Sequence, residues 1–210
     1  MLTIATISTK GGAGKTTLTA HLAVAAMRAG EKVVILDTDP QGSASAWGEA
    51  RQAEQPRVLA VDPGEVAAAV GAAKQDGYTL VVIDSAPRAE ASAASTCRTA
   101  DFVLVPCRPS AFDLATVKQT VAIVAAAERV AFSALVLNGC RARSPEVEQA
   151  RAFLGKFDTA LAPVEMGDRT AFARAVQTGR SVQEIDPHGA AAEEIAALWT
   201  YVCKRMKRRT

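Results

Sequence analysis

Aromatic side chains are scarce in this chain: Phe, Trp and Tyr together make up 5% of its 210 residues. Hydrophobic residues nevertheless make up 49% and charged residues 22%, so Ala, Val, Leu and Ile must fill the core. This balance excludes a disordered chain, a collagen-like fibre and a small scaffold held together by disulfides. The length is typical of one domain, so we expect residues 1–210 to form a single domain.

The chain also has few cysteines, and its sequence predicts no targeting segment. The chain has four cysteines, none of them in a C-x-x-C pair: Cys97, Cys107, Cys140 and Cys203. Residues 1–9 contain no basic segment and no cleavage-like site, so we expect no signal peptide. No uncharged run reaches the roughly 18 residues that a membrane-spanning helix needs. We therefore expect a cytoplasmic protein whose cysteines are reduced thiols in the core.

Charge of one sign is concentrated only near the end of the chain. The formal net charge is +2, but residues 204–209 carry five of the 24 basic side chains. The other 19 basic residues stand against 22 acidic ones, which gives the rest of the chain a net charge of −3. A basic tail can contact nucleic acid or anionic lipid. It is equally typical of a solvated helix end whose Lys and Arg complement the helix dipole.

Short β-branched runs alternate with longer Ala-rich stretches along the chain. The runs predict strands at 2–7, 32–36, 57–61, 79–83, 102–106, 132–137 and 159–164. The stretches between them predict helices at 15–29, 43–53, 64–74, 90–99, 114–127, 145–156, 169–178 and 190–208. Several runs are continuous, as in strands that are covered on both faces. We therefore predict an α/β fold, a twisted and mostly parallel sheet with helices on both faces and ligands at the carboxyl ends of its strands.

A glycine-rich turn follows the first predicted strand and leads directly into the first predicted helix. Its residues are Lys10, Gly11, Gly12, Ala13, Gly14, Lys15, Thr16 and Thr17. Glycines bring backbone N–H groups against phosphate oxygens, and the helix N-terminus adds partial positive charge. Lys15 can reach the β- and γ-phosphates of ATP, and the Thr16 hydroxyl can hold Mg²⁺. The turn predicts the phosphate loop of a P-loop NTPase, although Thr9 stands where the usual pattern has its first glycine.

Carboxylates end the second and fourth predicted strands. Asp37 and Asp39 lie two residues apart, and Asp84 ends the apolar run Leu80–Asp84. Asp37 and Asp39 are suitably placed to act on Mg²⁺ and on an attacking water. The dipeptides Asp-Pro and Gln-Gly in residues 39–42 equally favour a turn without such a role. Asp84 fits a Walker B strand, which delivers a carboxylate to Mg²⁺, and its alternative role is to cap the next turn.

The segment K-G-G-A-G-K-T-T at residues 10–17 resembles the deviant Walker A loop of the ParA/MinD family of ATPases. The segment D-T-D-P-Q at residues 37–41 is similar to the switch of ParA proteins, and residues 103–114 and 168–184 are similar to their later segments. The likeness covers the whole chain and is strongest to the short, plasmid-partition ParA type, which lacks an N-terminal helix-turn-helix. It implies a weak, Mg²⁺-dependent ATPase with ATP as its ligand.

The resemblance also implies roles for individual residues. Lys15 and Lys10 are implied in catalysis, with Lys10 contacting the nucleotide of the opposite subunit. Asp39 orients the hydrolytic water, and Asn138 contacts adenine, although an asparagine before Gly139 is also typical of a turn. The implied ligands of Mg²⁺ are Thr16, Asp37 and Asp84.

Partners follow from the same resemblance. It implies a homodimer that forms with ATP, binds DNA without sequence preference on the nucleoid, and is stimulated by a ParB-like centromere-binding protein or a cargo adaptor. Non-specific DNA binding rests on Lys and Arg contacts to phosphates. The candidates are Arg141, Arg143, Arg169, Arg174, Lys204, Arg205, Lys207 and Arg208. Each of them can equally be a solvated surface residue.

Two other function classes compete with this interpretation. A MinD-like membrane ATPase would use a terminal amphipathic helix, and an apolar stripe at residues 192, 195, 199, 202 and 206 fits interfacial binding. The same stripe fits a helix packed on its own domain, and we expect no membrane partner. A metabolic P-loop enzyme would need a substrate pocket and no lysine acting on the opposite subunit, so Lys10 argues against it.

Overall fold

A computed structural model describes residues 1–87 and 90–207 of the chain. These residues form eight β-strands, nine α-helices and a short 3₁₀ helix at Val130–Phe132. The strands are β1 (Leu2–Thr6), β2 (Val33–Asp37), β3 (Arg57–Ala60), β4 (Leu80–Asp84), β5 (Phe102–Cys107), β6 (Ser133–Cys140), β7 (Ala160–Leu161) and β8 (Met166–Gly167). The helices are α1 (Lys15–Arg28), α2 (Ser43–Ala50), α3 (Val66–Gln75), α4 (Glu90–Thr99), α5 (Ala111–Ala126), α6 (Pro145–Leu154), α7 (Thr170–Gln177), α8 (Val182–Ile185) and α9 (Ala190–Lys207).

All the strand pairs of the described residues are parallel, as the alternating pattern predicts. The order across the sheet is β3-β2-β4-β1-β5-β6-β7, and β8 pairs with β6 beside this path. β1 lies at the centre between β4 and β5, so the phosphate loop leaves the middle of the sheet. The register pairs Asp37 of β2 with Asp84 of β4, which brings two predicted site carboxylates to neighbouring strand ends.

Helices cover both faces of the sheet and form two separate apolar layers. One layer contains alternate strand residues such as Ile4 and Val82 together with residues of α1, α2, α7 and α9. The other contains the intervening residues, such as Ala5 and Ile83, together with residues of α3, α4, α5 and α6. Because successive side chains of a strand point to opposite faces, continuous apolar runs supply both layers.

Some predicted boundaries are wrong for identifiable reasons, and two short elements carry no sequence signal. The strand predicted at 159–164 shrinks to Ala160–Leu161, because Pro163 has no N–H to continue the ladder. The helix predicted from 114 begins at Ala111, where Ser110 caps it by accepting the N–H of Asp113 at 3.2 Å. The elements β8 and α8 are too short, at two and four residues, to give a periodic signal.

The terminal helix α9 packs on its own domain. Ala192, Ile195, Val202 and Met206 of the predicted stripe are buried in the layer that contains α1, and Trp199 is packed against it. The stripe is therefore core, and it offers no free apolar face for a membrane surface. No helix in residues 1–87 and 90–207 is long and apolar enough to cross a membrane.

Three of the four cysteines lie in the core, as the sequence predicts, whereas Cys203 is only half-buried. Cys97, Cys107 and Cys140 are buried and form no disulfide within the described chain. Burial raises the pKa of each thiol to about 12. These thiols are therefore protonated and unreactive at neutral pH, because the thiolate is the reactive form.

Candidate functional site

The glycine-rich loop joins the central strand β1 to the buried helix α1. Gly12 and Gly14 adopt φ values of 77° and 97°, in the left-handed region that glycine enters without strain. α1 begins at Lys15 with no capping side chain, so its first N–H groups have no side-chain acceptor. An anion at a helix start of this kind is stabilised by these N–H groups and by the helix dipole.

Asn138 packs directly beneath this loop. Its Nδ2 donates a hydrogen bond to the carbonyl of Ala13 at 2.7 Å. A Cβ at Gly14 would lie 2.0 Å from the same nitrogen, so glycine is required there by space as well as by φ. The strand β6 continues past the predicted end at 137 and includes Asn138. Support of the loop is thus the observed role of this amide, and its contact with adenine stays a prediction.

Thr16 and Asp84 meet at the carboxyl edge of the sheet. The Thr16 hydroxyl donates to Oδ2 of Asp84 at 2.6 Å, and the Asp84 side chain is fully buried. Burial raises the pKa of Asp84 to about 7, the nearby Asp37 and Asp39 raise it as well, and the Thr16 hydrogen bond and Lys15 oppose the rise. A cation beside Asp84 would favour its charged form.

Lys15 is buried next to these carboxylates, with 7% of its surface exposed. Burial lowers the pKa of its ammonium group, whereas the charges of Asp84 and Asp39 act in the opposite direction. The sequence-predicted phosphate lysine, Walker B acid and switch acid therefore share one electrostatic environment. A buried ammonium group that is weakly hydrated can bind phosphate strongly, because little water has to be removed.

Asp37 and Asp39 have different partners. Asp37 is buried, and its Oδ2 accepts both the N–H and the hydroxyl of Ser45, each at 2.8 Å. Its Oδ1 accepts the N–H of Asp39 at 3.1 Å. Asp39 is half-buried and shapes the turn, because its Oδ1 accepts the N–H of Gln41 and its carbonyl accepts that of Gly42. The turn and the carboxylate pair predicted from the sequence are thus the same structure.

The donor set at this edge fits Mg²⁺. In proteins Mg²⁺ is usually held by one or two carboxylates together with substrate phosphates, and it keeps several waters. Thr16 and Asp84 supply a hydroxyl and a carboxylate in contact, and Asp37 lies in register with Asp84. Within the described part of the chain no group of three or more His, Cys, Asp or Glu could hold a metal by itself. A cation here would therefore need the phosphates of a nucleotide as further ligands.

Lys10 occupies the outer part of the loop. Its side chain is half-buried, and its backbone N–H donates to the Ser8 hydroxyl at 3.2 Å. The following Gly11 and Gly12 are exposed. Lys10 therefore stands on a fixed backbone at the rim of the site, while Lys15 is buried inside it.

The basic candidates fall into two groups, those that form ion pairs and other exposed side chains. Arg141 and Asp168 form an ion pair at 3.3 Å with both side chains largely exposed, and Arg169 pairs with Glu194 at 2.6 Å. The other exposed candidates are Arg143, Arg174 and Lys204. The Arg141 pair is exposed on both sides, and such pairs contribute little to stability and are screened by salt, so Arg141 can exchange its acid for another anion at small cost.

Arg205 differs from the other candidates because its guanidinium is used inside the fold. It donates to the Tyr201 hydroxyl at 2.8 Å and to the carbonyl of Ala131 at 2.9 Å. It therefore fixes α9 against the chain that precedes β6, and its contact with DNA stays a prediction. The side chain of Lys207 and all of Arg208 lie outside the described residues.

Arg51 is a structural residue that the sequence did not reveal. Its side chain is 2% exposed and forms a two-pronged ion pair with Glu184, with distances of 2.6 and 2.9 Å. It also donates to the carbonyls of Gln55 and Gly179 and lies over the ring of Trp47 at 5.1 Å. The sequence placed position 51 in the interior of a helix at 43–53, so nothing marked its side chain as a connection to α8.

Comparisons with known proteins agree with this geometry. Residues 4–182 match the model of the "CobQ/CobB/MinD/ParA nucleotide binding domain" family. The Maintenance of carboxysome distribution protein A of Halothiobacillus neapolitanus is 30% identical over 203 residues, which cover 92% of each chain. The protein of the same name from Gloeobacter kilaueensis is 39% identical over 128 residues, or 56% of this chain and 54% of that relative.

Solved structures give the same fold. The septum site-determining protein MinD of Pyrococcus horikoshii, complexed with Mg-ADP, superposes with a TM-score of 0.78 at 19% identity and covers 100% of this chain and 98% of that chain. At this identity the likeness supports the fold alone. The family match covers the phosphate loop, the carboxylates and Asn138 together, and with it the chain belongs to the ParA/MinD family of P-loop ATPases.

Proposed function

We propose that this chain is a ParA-type ATPase for DNA partition or for the positioning of an intracellular cargo. The observation that carries the proposal is the buried contact of Thr16 with Asp84 at 2.6 Å, beside the buried Lys15. Two separate sequence motifs meet there, the phosphate loop and the strand that ends in Asp84, as binding of a magnesium nucleotide requires. The half-buried Lys10 at the rim favours a ParA-type protein over a metabolic enzyme.

The residues would divide the work as follows. The loop N–H groups and Lys15 bind the phosphates of ATP, and Thr16, Asp84 and Asp37 hold Mg²⁺. The ion neutralises charge on the β- and γ-phosphate oxygens. Asp39 orients the attacking water, and Lys10 reaches the nucleotide of a second copy of the chain. Hydrolysis is slow because positioning in one subunit is incomplete, and a ParB-like or cargo-adaptor partner completes it.

The ATP-bound dimer would bind DNA through the exposed arginines and lysines, on the nucleoid in the cytoplasm. Such binding releases counterions, so its affinity falls steeply as the salt concentration rises. The MinD-like membrane alternative loses the observation on which it rested, because the apolar stripe of α9 is buried.

A salt series of duplex DNA binding tests the proposal. It compares ATP, ADP and no nucleotide, with Asp39→Ala alongside to hold the ATP state and Lys15→Ala as the control without nucleotide. We expect binding only with ATP, with a logarithmic salt slope of about −0.9 for each phosphate contacted. A protein that dimerises with ATP but binds no DNA in any state would contradict the DNA part of the proposal and move the search to another scaffold.

A further inference from the structure

A pair of threonines attaches the phosphate loop to helix α5, which belongs to the apolar layer on the other side of the sheet from α1. The backbone N–H of Thr9 donates to Oγ1 of Thr120 in α5 at 3.2 Å, and the two hydroxyl oxygens are 3.1 Å apart. Both residues are buried, with 9% and 1% of their surface exposed. Thr9 stands at the loop position where the usual motif has glycine, so this side chain has a partner that glycine could not have.

Thr120 interrupts an otherwise apolar face of α5. The other buried residues of this helix are Val117, Ile123 and Val124, all of which belong to the apolar layer. A hydroxyl buried in such a layer costs free energy unless it is hydrogen-bonded. Thr9 is its partner, so the pair is a satisfied polar contact that joins two elements 111 residues apart in sequence.

The attachment lies immediately before Lys10. The N–H of Thr9 is bound to Thr120, and the next N–H, that of Lys10, is bound to Ser8. Two successive backbone groups are therefore fixed at the entrance of the loop, whereas the exposed Gly11 and Gly12 follow with no side chain to restrain them. Both anchors hold the backbone from which the Lys10 side chain leaves, and only the first of them comes from another element of the fold.

We propose that Thr120 is a positioning residue for Lys10, and that α5 thereby sets the reach of this lysine toward the phosphates of a second copy. The inference rests on the proposed function, because it concerns the step in which two ATP-bound copies associate. Lys15 is held separately, by the start of α1 and the carboxylates around it. Loss of the Thr120 hydroxyl should therefore weaken association while each copy still binds ATP.

The experiment compares Thr120→Val with Thr120→Ser, which restores the hydroxyl. Thr116→Val is the matched control, because the Thr116 hydroxyl lies on the same helix and donates within it, to the carbonyl of Asp113. Lys10→Ala gives the effect of losing the lysine itself. For each variant we measure ATP affinity with a fluorescent nucleotide, the dimer dissociation constant with ATP by sedimentation, and the kcat and KM of ATP hydrolysis.

Thr120→Val should weaken the ATP-dependent dimer by roughly tenfold and lower kcat, because it leaves the buried Thr9 N–H without an acceptor. KM and ATP affinity should change less than about twofold, since one uncharged hydrogen bond contributes little and Lys15 is held by other contacts. Thr120→Ser should behave like the natural chain, and so should Thr116→Val. If Thr120→Val folds poorly, Thr9→Val tests the same link from the other side and should give a smaller loss.

Three results would overturn the inference or its basis in different ways. A natural chain that stays monomeric with ATP would refute the proposed function. A natural chain that dimerises, with Thr120→Val dimerising equally well, would refute only the role of Thr120. A parallel loss of ATP affinity and dimerisation in Thr120→Val would show that the threonine supports the whole loop and does not act through Lys10.

Discussion

Charged side chains occur in two very different settings in this molecule. Lys15, Asp84 and Arg51 are buried, and their partners belong to distant parts of the chain. Arg143 and Arg174 are exposed on the surface. The buried groups have one geometry before any ligand arrives, whereas exposed groups acquire a fixed geometry only from a partner. The nucleotide chemistry can therefore be read from one chain, and the DNA contacts cannot.

The largest difference should appear between a buried and an exposed ion pair. Arg51→Met should lower the free energy of unfolding by about 3 kcal/mol, because Glu184 would remain largely buried without its partner. Arg141→Met should change it by less than about 0.5 kcal/mol, since that pair is solvated. Urea denaturation measures the free energy of unfolding of both variants. Equally small decreases in the two variants would show that the buried Arg51 pair stabilises the fold no more than the exposed pair does.

Lys15→Ala should abolish ATP binding. The affinity should fall by roughly a hundredfold or more, because hydrogen bonds from a charged donor to the phosphates are lost. Titration with a fluorescent nucleotide measures this, and thermal denaturation checks that the variant is folded. Lys10→Ala is the matched lysine variant and should retain ATP binding. Unchanged affinity in Lys15→Ala would contradict the assignment of the phosphate lysine.

His21 predicts a pH dependence of stability. It is fully buried against Phe172, and burial lowers its pKa to about 4, although its hydrogen bond to the carbonyl of Thr17 and the charge of Glu184 act in the opposite direction. The unfolded chain binds a proton near pH 6.5 that the folded chain does not bind. Stability should therefore fall as the pH decreases from about 6.5 to 4, by up to about 3 kcal/mol from this residue.

Urea denaturation at several pH values tests this dependence. His21→Leu removes the titrating ring from the same site, so its stability should fall less steeply over this pH range. The stability of the natural chain relative to that of the variant should decrease as the pH falls through this range. If the free energy of unfolding depends on pH in the same way in both proteins, burial does not lower the pKa of His21 in the folded chain.

Asp39→Ala should trap the ATP-bound dimer. The attacking water loses the carboxylate that orients it, so turnover should fall by about 10²-fold while nucleotide binding persists. Single-turnover hydrolysis and sizing with ATP measure the two properties. Turnover at the natural rate would assign the orienting role to another residue.

The smallest effects are expected on the exposed surface. Arg174→Ala should weaken non-specific DNA binding equally for all sequences and reduce the magnitude of the salt slope by about 1. Lys74→Ala is the control, because Lys74 is exposed on α3 in the opposite helical layer. Equal effects of the two substitutions would mean that DNA binding depends on net charge and not on this surface.

The sequence predicted the sheet and the loop, because these follow from local patterns and from parallel strand order. The family resemblance assigned Thr16 and Asp84 to one Mg²⁺ site, and the structure brings the two side chains into contact. The sequence did not predict the support of Ala13 by Asn138, the bond of Thr9 to Thr120 or the pair of Arg51 with Glu184. These contacts join residues 125, 111 and 133 positions apart. A single asparagine, threonine or arginine carries no periodic signal, so only the packed chain reveals its partner.

Helix α2 is restrained at both of its ends. At its start Ser45 is bound to Asp37, and at its end the turn at Gly179 approaches so closely that a Cβ there would lie 2.4 Å from the carbonyl carbon of Ala50. The helix between these two restraints is eight residues long. A displacement of α2 that follows a change at the Asp37 carboxylate would therefore press on the turn between α7 and α8, so this helix joins the strand end of β2 to a part of the chain more than 130 residues further on.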